Sequence, residues 1–398
     1  MAGPSNPEAC KSRCTGLRIL NVSTYLVVSE IIPADVPGGS GRAAWEASRA
    51  LAVRGHRIIV VTRNLAAKKQ RETIDGIPVL RFSRYRDLHC AAPRIVEEFK
   101  PDCLHLHSPF PSFAFRKFAR RIPSLYFFHS PWHEEYLIRG ADLGRGPMRS
   151  AIGAWLRRAA ERATLTSVRR IIADSAFMAS RLRQHHGLDA LVFPLGVDIE
   201  RFAPGDISAA RRKTGLPEDR PVFLTVRNLV SRMGLDNLIG AMPRIVAAFP
   251  DALLVIGGQG YLRDALQTRI DQLGLARHAR LIGYIPDELL TDHYRAADIF
   301  ILPTRSLEGF GLVTLESLAC GTPVLATPVG ANREVLEGLD TRMMLAGAGA
   351  EDIAAGVLAY LPEYQKRKAE IRAACRKYAI GFSWEKYADR ISRVFAPS

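Results

Sequence analysis

Acidic residues are in short supply in this 398-residue chain, cysteines are few, and no long apolar run occurs. Forty Asp and Glu face 55 Lys and Arg, for a net charge of +15. Such an imbalance points to anionic company: nucleic acid, membrane headgroups or phosphorylated substrates. The six cysteines, Cys10, Cys14, Cys90, Cys103, Cys320 and Cys375, form no Cys-x-x-Cys pair and no regular framework. A disulfide scaffold is therefore excluded, and a reducing cytoplasm is expected. No segment approaches the roughly 18 to 20 apolar residues of a membrane span, and the polar opening MAGPSNPEACKSRCTG lacks a secretory core. Any membrane contact is expected to be peripheral. With 47% apolar residues the chain is not disordered, and its length favours two domains. Short solenoid repeats and low-complexity segments are absent as well.

Short β-branched runs alternate with helical patterns along the whole length. The candidate strands are Leu17-Asn21, Arg57-Thr62, Pro78-Phe82, Cys103-His107, Ser124-Phe128 and Arg170-Ala173, then Val222-Val226, Leu253-Ile256, Ala279-Ile282, Ile299-Leu302 and Val324-Ala326. Strands this continuously apolar, separated by helices, imply parallel sheets covered on both faces. Two sets imply two doubly wound α/β domains, with the break near Pro194 to Pro204. Residues 1–15 are expected to form a flexible N-terminus, 16–200 and 201–375 the two domains, and 376–398 a closing helical segment. Open α/β sheets bind ligands beyond the carboxyl ends of their strands, so chemistry is sought at strand-to-helix junctions.

The densest junction follows Ile299-Leu302 and reads Glu308-Gly-Phe-Gly-Leu-Val-Thr-Leu-Glu316, then Ala-Cys-Gly-Thr-Pro-Val. A helix starting near Gly311 and closed by Gly321 carries Glu316 on an otherwise apolar surface. A carboxylate there needs fixed partners, which a ligand with vicinal hydroxyls or an internal arginine supplies. Glu308 sits in the glycine-rich turn at the mouth of that helix, where Gly309 and Gly311 let backbone N–H groups approach a bound group. It is either a ligand contact or an exposed loop acid.

This Glu-x7-Glu stretch resembles the signature of the retaining GT-B glycosyltransferases of family 4 (group 1), and the resemblance runs from about Gly16 to the end. It implies a GT-B fold: two Rossmann-like domains facing across a cleft, an N-terminal one for the acceptor and a C-terminal one for a nucleotide sugar. It also implies that the last helix crosses back to the first domain. The activity implied is that of a hexosyltransferase (EC 2.4) moving a sugar to an acceptor hydroxyl with retention, without a protein nucleophile. Carried over, Glu308 contacts donor-sugar hydroxyls and Glu316 holds the ribose. The backbone of Gly309, Phe310, Gly311 and Leu312 binds sugar and phosphate. Arg227 and Arg232, in Phe223-Leu-Thr-Val-Arg-Asn-Leu-Val-Ser-Arg-Met-Gly234, stand where the family shows an Arg and a Lys on the pyrophosphate; here the Lys is absent, and Asn228 and Met233 adjoin the arginines. Arginine grips phosphate bidentately, so the substitution keeps the chemistry.

Other segments fit the same pattern. Gly257, Gly258 and Gly260 match a second glycine-rich turn, and Tyr284 occupies the place where the family meets the base. In Val36-Pro-Gly-Gly-Ser-Gly-Arg42, ahead of a helix over 42–54, the resemblance assigns Gly38, Gly39 and Ser40 to the donor phosphate. His129, at the end of Ser124-Phe128, corresponds to the histidine that contacts the transferred sugar. His133, Glu134 and Glu135 follow it as acceptor contacts or as a solvated helix start. His105, His107, His129 and His133 match no standard metal spacing, and the family needs none, so neither metal nor cofactor is expected. The absence of any Asp-x-Asp pair agrees, since that metal clamp typifies the other major glycosyltransferase fold; arginines and helix N-termini then neutralise the pyrophosphate. Trp384, at the start of the closing helix, reads as core.

The charge is localised. Residues 1–204 hold 31 basic and 18 acidic side chains, and 113–170 alone hold 12 against 4. Arg116, Lys117, Arg120 and Arg121 are thus assigned to an anionic acceptor or membrane surface. No nucleic-acid motif accompanies the charge. The expected role is glycan, lipopolysaccharide or exopolysaccharide assembly at the inner face of a membrane. A small natural product or aminocyclitol as acceptor, or a GT-B epimerase or hydrolase of the nucleotide sugar, are the alternatives.

Overall fold

The computed structural model describes residues 22–395; the expected flexible N-terminus over 1–15 and the strand Leu17-Asn21 lie outside them. Two sheets organise the chain. The first contains β1 (Thr24–Val28), β2 (Arg57–Arg63), β3 (Arg71–Ile74), β4 (Ile77–Phe82), β5 (Cys103–Leu106), β6 (Ser124–Phe128), β7 (Arg170–Ala173) and β8 (Leu191–Val192), in the order β3-β4-β2-β1-β5-β6-β7-β8. The second contains β9 (Val222–Val226), β10 (Leu253–Gly257), β11 (Ala279–Gly283), β12 (Ile299–Leu302) and β13 (Val324–Ala326), in the order β11-β10-β9-β12-β13. All pairings are parallel except β3 with β4. Both are doubly wound, and their strand order reverses between β1 and β5 and between β9 and β12.

Composition explains the two-sided covering. Leu26, Val28, Ile59, Leu104, Leu106 and Phe127 are almost wholly buried, as are Val222, Leu254, Ile256, Ile301 and Leu302. Such strands have no face left for solvent. Three strands, β1, β3 and β8, correct the sequence reading. Thr24–Val28 is the first described strand, paired on both sides with β2 and β5, and its run Tyr-Leu-Val-Val was passed over. β3 was missed because Arg71-Glu-Thr-Ile is a half-exposed antiparallel edge, without the apolar signal of a central strand.

The chain passes between the sheets near Gly196. A β-carbon there would meet the Trp384 backbone at 2.5 Å, so only glycine allows this approach. Trp384 is buried, and the Trp384–Arg393 helix packs on the Gly39–Val53 helix, with Arg54 2.8 Å from Asp389.

Buried histidines make the first sheet pH-sensitive. His105 lies between the Tyr25 and Phe127 rings, and burial lowers its pKa to about 3. Burial likewise holds His107 well below the usual value. The folded form refuses protons that the unfolded chain takes up near pH 6.5. This contribution is complete above that pH and is lost as pH falls toward 3, at about 1.4 kcal/mol per pH unit for each group. Urea midpoints between pH 6.5 and 5 should therefore fall steeply, and less steeply in His105→Phe; equal slopes contradict this assignment.

Candidate active site

Three neighbouring strands of the first sheet each release one polar residue at the carboxyl edge: His107 after β5, His129 after β6 and Asp174 after β7. Phe128 and Ala173 are register partners, which brings the residues following them side by side. His129 Nδ1 lies 2.6 Å from Asp174 Oδ2, and His129 Nε2 lies 3.1 Å from His107 Nδ1. A carboxylate only accepts, so His129 carries a proton on Nδ1, which in the neutral ring leaves Nε2 to accept from His107. Asp174 thus fixes the tautomer of the histidine singled out from the sequence. The one signal that could have pointed to it is its place as an Asp directly after the strand next to that of His129.

The second sheet contributes from its own reversal point. Arg227 follows β9, and the 303–311 turn follows β12. Arg227 Nη2 donates to Glu308 Oε2 at 2.6 Å, and Thr304 Oγ1 donates to the same oxygen at 2.7 Å. Both charged side chains are over nine-tenths buried, which overturns the exposed-acid reading of Glu308. Arg232 Nη1 donates to the Leu307 carbonyl at 3.2 Å, and its Nη2 lies 3.6 Å from Glu135. Leu307 adopts a φ of +56°, an unfavourable left-handed conformation for a side-chain-bearing residue, and so holds strain beside Glu308. Met233, the residue after Arg232, lies with its Sδ 2.7 Å from Arg227 Nη2.

Glycines set this geometry. A β-carbon on Gly258 would strike the Arg227 carbonyl oxygen at 1.8 Å, and one on Gly260 the Leu229 carbonyl oxygen at 2.2 Å. The 257–260 turn thus serves to hold the Arg227 loop. Gly311 has a φ of +83° and caps the Leu312–Ala319 helix, while Phe310 is buried and Leu312 half-buried. Within that helix Glu316 is buried and accepts a hydrogen bond from Tyr294 at 2.8 Å. Burial, then the Glu316 carboxylate, raise the Tyr294 pKa well above normal. The partner expected from a ligand or an arginine is thus in part a tyrosine. Arg42 is nearby: burial disfavours its charge, yet Glu316 and Asp287 hold its pKa above the usual value. It lies 2.8 Å from Asp287.

The first-domain glycine loop divides its labour. The helix begins at Gly39, earlier than expected, because Gly38 to Gly41 join its first turn. β-carbons on Gly38 and Gly41 would strike Ile31 at 2.5 and 2.7 Å, whereas Gly39 faces open space and Ser40 is half-buried. Tyr284 is exposed on the turn after β11. Arg116, Lys117, Arg120 and Arg121 are not brought to the cleft. Their segment returns the chain to the amino end of β6, where Ser124 Oγ donates to the Ala119 carbonyl, and Arg116 stacks 3.9 Å above the Phe113 ring.

The two carboxyl edges are closed on each other. Ser175 Oγ donates to the Gly309 carbonyl at 2.7 Å. The amides of Ala176 and Phe177 donate to Glu334 at 2.8 and 2.7 Å, so an acid from the second domain caps a first-domain helix. Ser231 and Tyr261 both donate to Asp142. Sequence reasoning found none of Asp174, Glu334 and Asp142, whose partners are far away in the chain. Next to Glu316, the space lined by Arg42, Arg201, Leu312 and Trp384 is only about 10 Å³, room for about one water.

Two Rossmann-like domains facing across such a cleft define the GT-B fold. A family model described as "Glycosyl transferases group 1" matches residues 206–380, and one described as "Glycosyltransferase Family 4" matches residues 37–201. The chain belongs to this glycosyltransferase family. It is 36% identical over 238 residues to a D-inositol 3-phosphate glycosyltransferase of Geodermatophilus obscurus, covering 57% of this chain and 52% of the relative. It is 35% identical over 251 residues to a GDP-mannose-dependent alpha-(1-6)-phosphatidylinositol monomannoside mannosyltransferase of Mycolicibacterium smegmatis, covering 58% and 65%. The chain spans about half the length of the first curated relatives it matches. Among solved structures, a sucrose-phosphate synthase from Thermosynechococcus elongatus superposes with a TM-score of 0.78 at 22% identity, over 94% of this chain and 98% of that one.

The Arg227–Glu308 pair has a measurable signature. Arg227→Met should cost about 3 kcal/mol of unfolding free energy by leaving a buried carboxylate without its cation, and adding Glu308→Gln should recover most of it. Additive losses in the double-mutant cycle contradict the pairing.

Proposed function

We propose that this protein transfers a sugar from a nucleotide sugar to an acceptor hydroxyl with retention at the anomeric carbon. The observation carrying this reading is the buried Arg227–Glu308 pair at the second sheet's reversal point, opposed by the Asp174–His129 pair of the first. Donor phosphate competes for Arg227 and frees the Glu308 carboxylate to accept from sugar hydroxyls, an exchange of one anion for another at a fixed guanidinium. Glu316 accepts from the ribose hydroxyls, Arg232 and the N-terminus of the Leu312–Ala319 helix offset the remaining phosphate charge, and His129 packs against the sugar. The acceptor oxygen bonds to the anomeric carbon on the face from which the diphosphate leaves; the bond to the phosphate oxygen breaks, and that oxygen takes the acceptor proton. Neither a protein nucleophile nor a donor-bound metal takes part.

The acceptor we propose is a lipid-linked, inositol-containing or glycan alcohol at an anionic membrane surface. The relatives named above support the inositol-type chemistry. No helix among the described residues is long and apolar enough to cross a membrane. A surface suited to lying on one is present instead: Met148, Ile152, Trp155 and Leu156 are exposed on the Pro147–Leu165 helix. Arg145 and Arg158 flank the groove that this helix forms with Trp132–Asp142. Apolar side chains ringed by arginines favour interfacial docking. This ridge, more than Arg116 to Arg121, gives the basic excess a place to act.

Incubation with UDP-, GDP- and ADP-sugars, with and without phosphoinositide or polyprenyl acceptors, tests the activity through nucleotide release. Release that requires an acceptor and survives EDTA is expected; donor consumed without acceptor indicates a hydrolase or epimerase. Glu316→Ala should weaken nucleotide-sugar binding at least about tenfold, and unchanged affinity would falsify the site. Ile152→Glu with Trp155→Glu should abolish sedimentation with anionic vesicles while leaving transfer to a soluble acceptor intact; vesicle binding that persists removes the ridge from the account.

A further inference from the structure

Three helices of the first domain, Trp132–Asp142, Pro147–Leu165 and Ala176–His186, each aim one metal-ligating side chain at a common point in the interior. They are His133, Glu161 and His186, and their ligating atoms lie within 4.8 Å of one another. His186 Nε2 is 3.1 Å from Glu161 Oε2, and His133 Nδ1 is 4.0 Å from the same oxygen. Glu161 and His186 side chains are wholly buried and His133 is about nine-tenths buried. We propose that these residues form a binding site for one divalent transition-metal ion of the zinc class, separate from the sugar cleft.

Unmet hydrogen bonding points to a cation. His133 Nδ1, His186 Nδ1 and Glu161 Oε1 are buried without a hydrogen-bond partner. An imidazole and a carboxylate placed in a core for packing alone would be satisfied by neighbouring donors and acceptors. An ion bound to His133 Nδ1 and the carboxylate meets two of these needs together. Donor chemistry then selects the ion. Two imidazoles and one carboxylate suit zinc and its neighbours, whereas calcium and magnesium require several oxygens. Ligands about 2.0 to 2.1 Å from a tetrahedral zinc stand roughly 3.3 Å apart; the His186–Glu161 spacing of 3.1 Å meets this, and the 4.0 Å between His133 and Glu161 needs a shift of less than about 1 Å.

The surroundings prepare the site. Arg158 and Arg162 donate to the carbonyls of His185 and His186, which fixes the end of the helix carrying His186. A neighbouring group shares His133 with Glu134 and His185, but Glu134 already pairs with Arg181 and His185. The groove between the first two helices, about 610 Å³, is lined by His133, so one of the three ligands borders an open space from which an ion would enter. A bound ion would tie together three helices, one of which starts three residues beyond His129.

The test uses the full chain, stripped with chelator and dialysed, then titrated with Zn²⁺ by calorimetry and with Co²⁺ by visible absorption. One equivalent bound per chain, cobalt d–d bands and a raised melting temperature are expected. Glu161→Gln and His186→Asn should each weaken zinc at least about tenfold. His133→Leu should lose the cobalt bands while remaining folded without metal, because it removes an unpartnered nitrogen. Glu134→Gln should leave affinity unchanged. Absence of stoichiometric binding, binding indifferent to Glu161→Gln and His186→Asn, or loss confined to Glu134→Gln each overturns the assignment.

Discussion

The cleft depends on one approach that only glycine permits. Gly309 lies so close to the first domain that a β-carbon on it would stand 2.8 Å from the His129 carbonyl oxygen. Through that contact the residue after Glu308 meets the backbone of His129, and the two carboxyl edges become one surface. The Ser175–Gly309 hydrogen bond and the Glu334 cap reinforce the same closure from either side. Strain at Leu307 and the left-handed Gly311 bracket the turn, so its shape is set by the second domain before it meets the first. Under the proposed function, a closed site of this kind excludes water from the groups assigned to the donor, which favours transfer over hydrolysis.

Division of labour between the domains follows from where the charges sit. Few of the excess basic residues belong to the second domain, whose cleft holds Arg227 and Arg232 in fixed geometry. Arginines surrounding the exposed apolar ridge belong to the first. Under the proposed function, the placed arginines are the part suited to a diphosphate, and the diffuse basic and apolar surface the part suited to a broad, fluid, anionic interface.

Most of the fold was legible in the sequence because central parallel strands are uniformly apolar, and ten of the expected runs recur at or within a residue or two of their expected ends. Edges were not: β3 and β8 carry too few buried residues to announce themselves. In the site, Glu308, Glu316, Arg227 and His129 stood out through glycine spacing, apolar context and strand-end position. Their partners Tyr294 and Asp174 did not, since packing between segments far apart in the chain decides which polar groups meet, and Thr304, only four residues before Glu308, carries no signal of its own. The helix starting at Gly39 shows a subtler limit: Gly38 and Gly41 answer to packing against Ile31, and only Gly39 is left open. A glycine-rich loop in sequence does not say which glycine faces a ligand.

Closure at Gly309 is the claim on which the account of activity turns. The direct measurement compares Gly309→Ala with the unmodified protein for nucleotide affinity and for acceptor-dependent nucleotide release. Binding to the second domain should be nearly unchanged, while turnover falls on the order of 100-fold because the added methyl holds His129 away from Glu308. Turnover equal to that of the unmodified protein would show that the contact between Gly309 and His129 is not part of the working site.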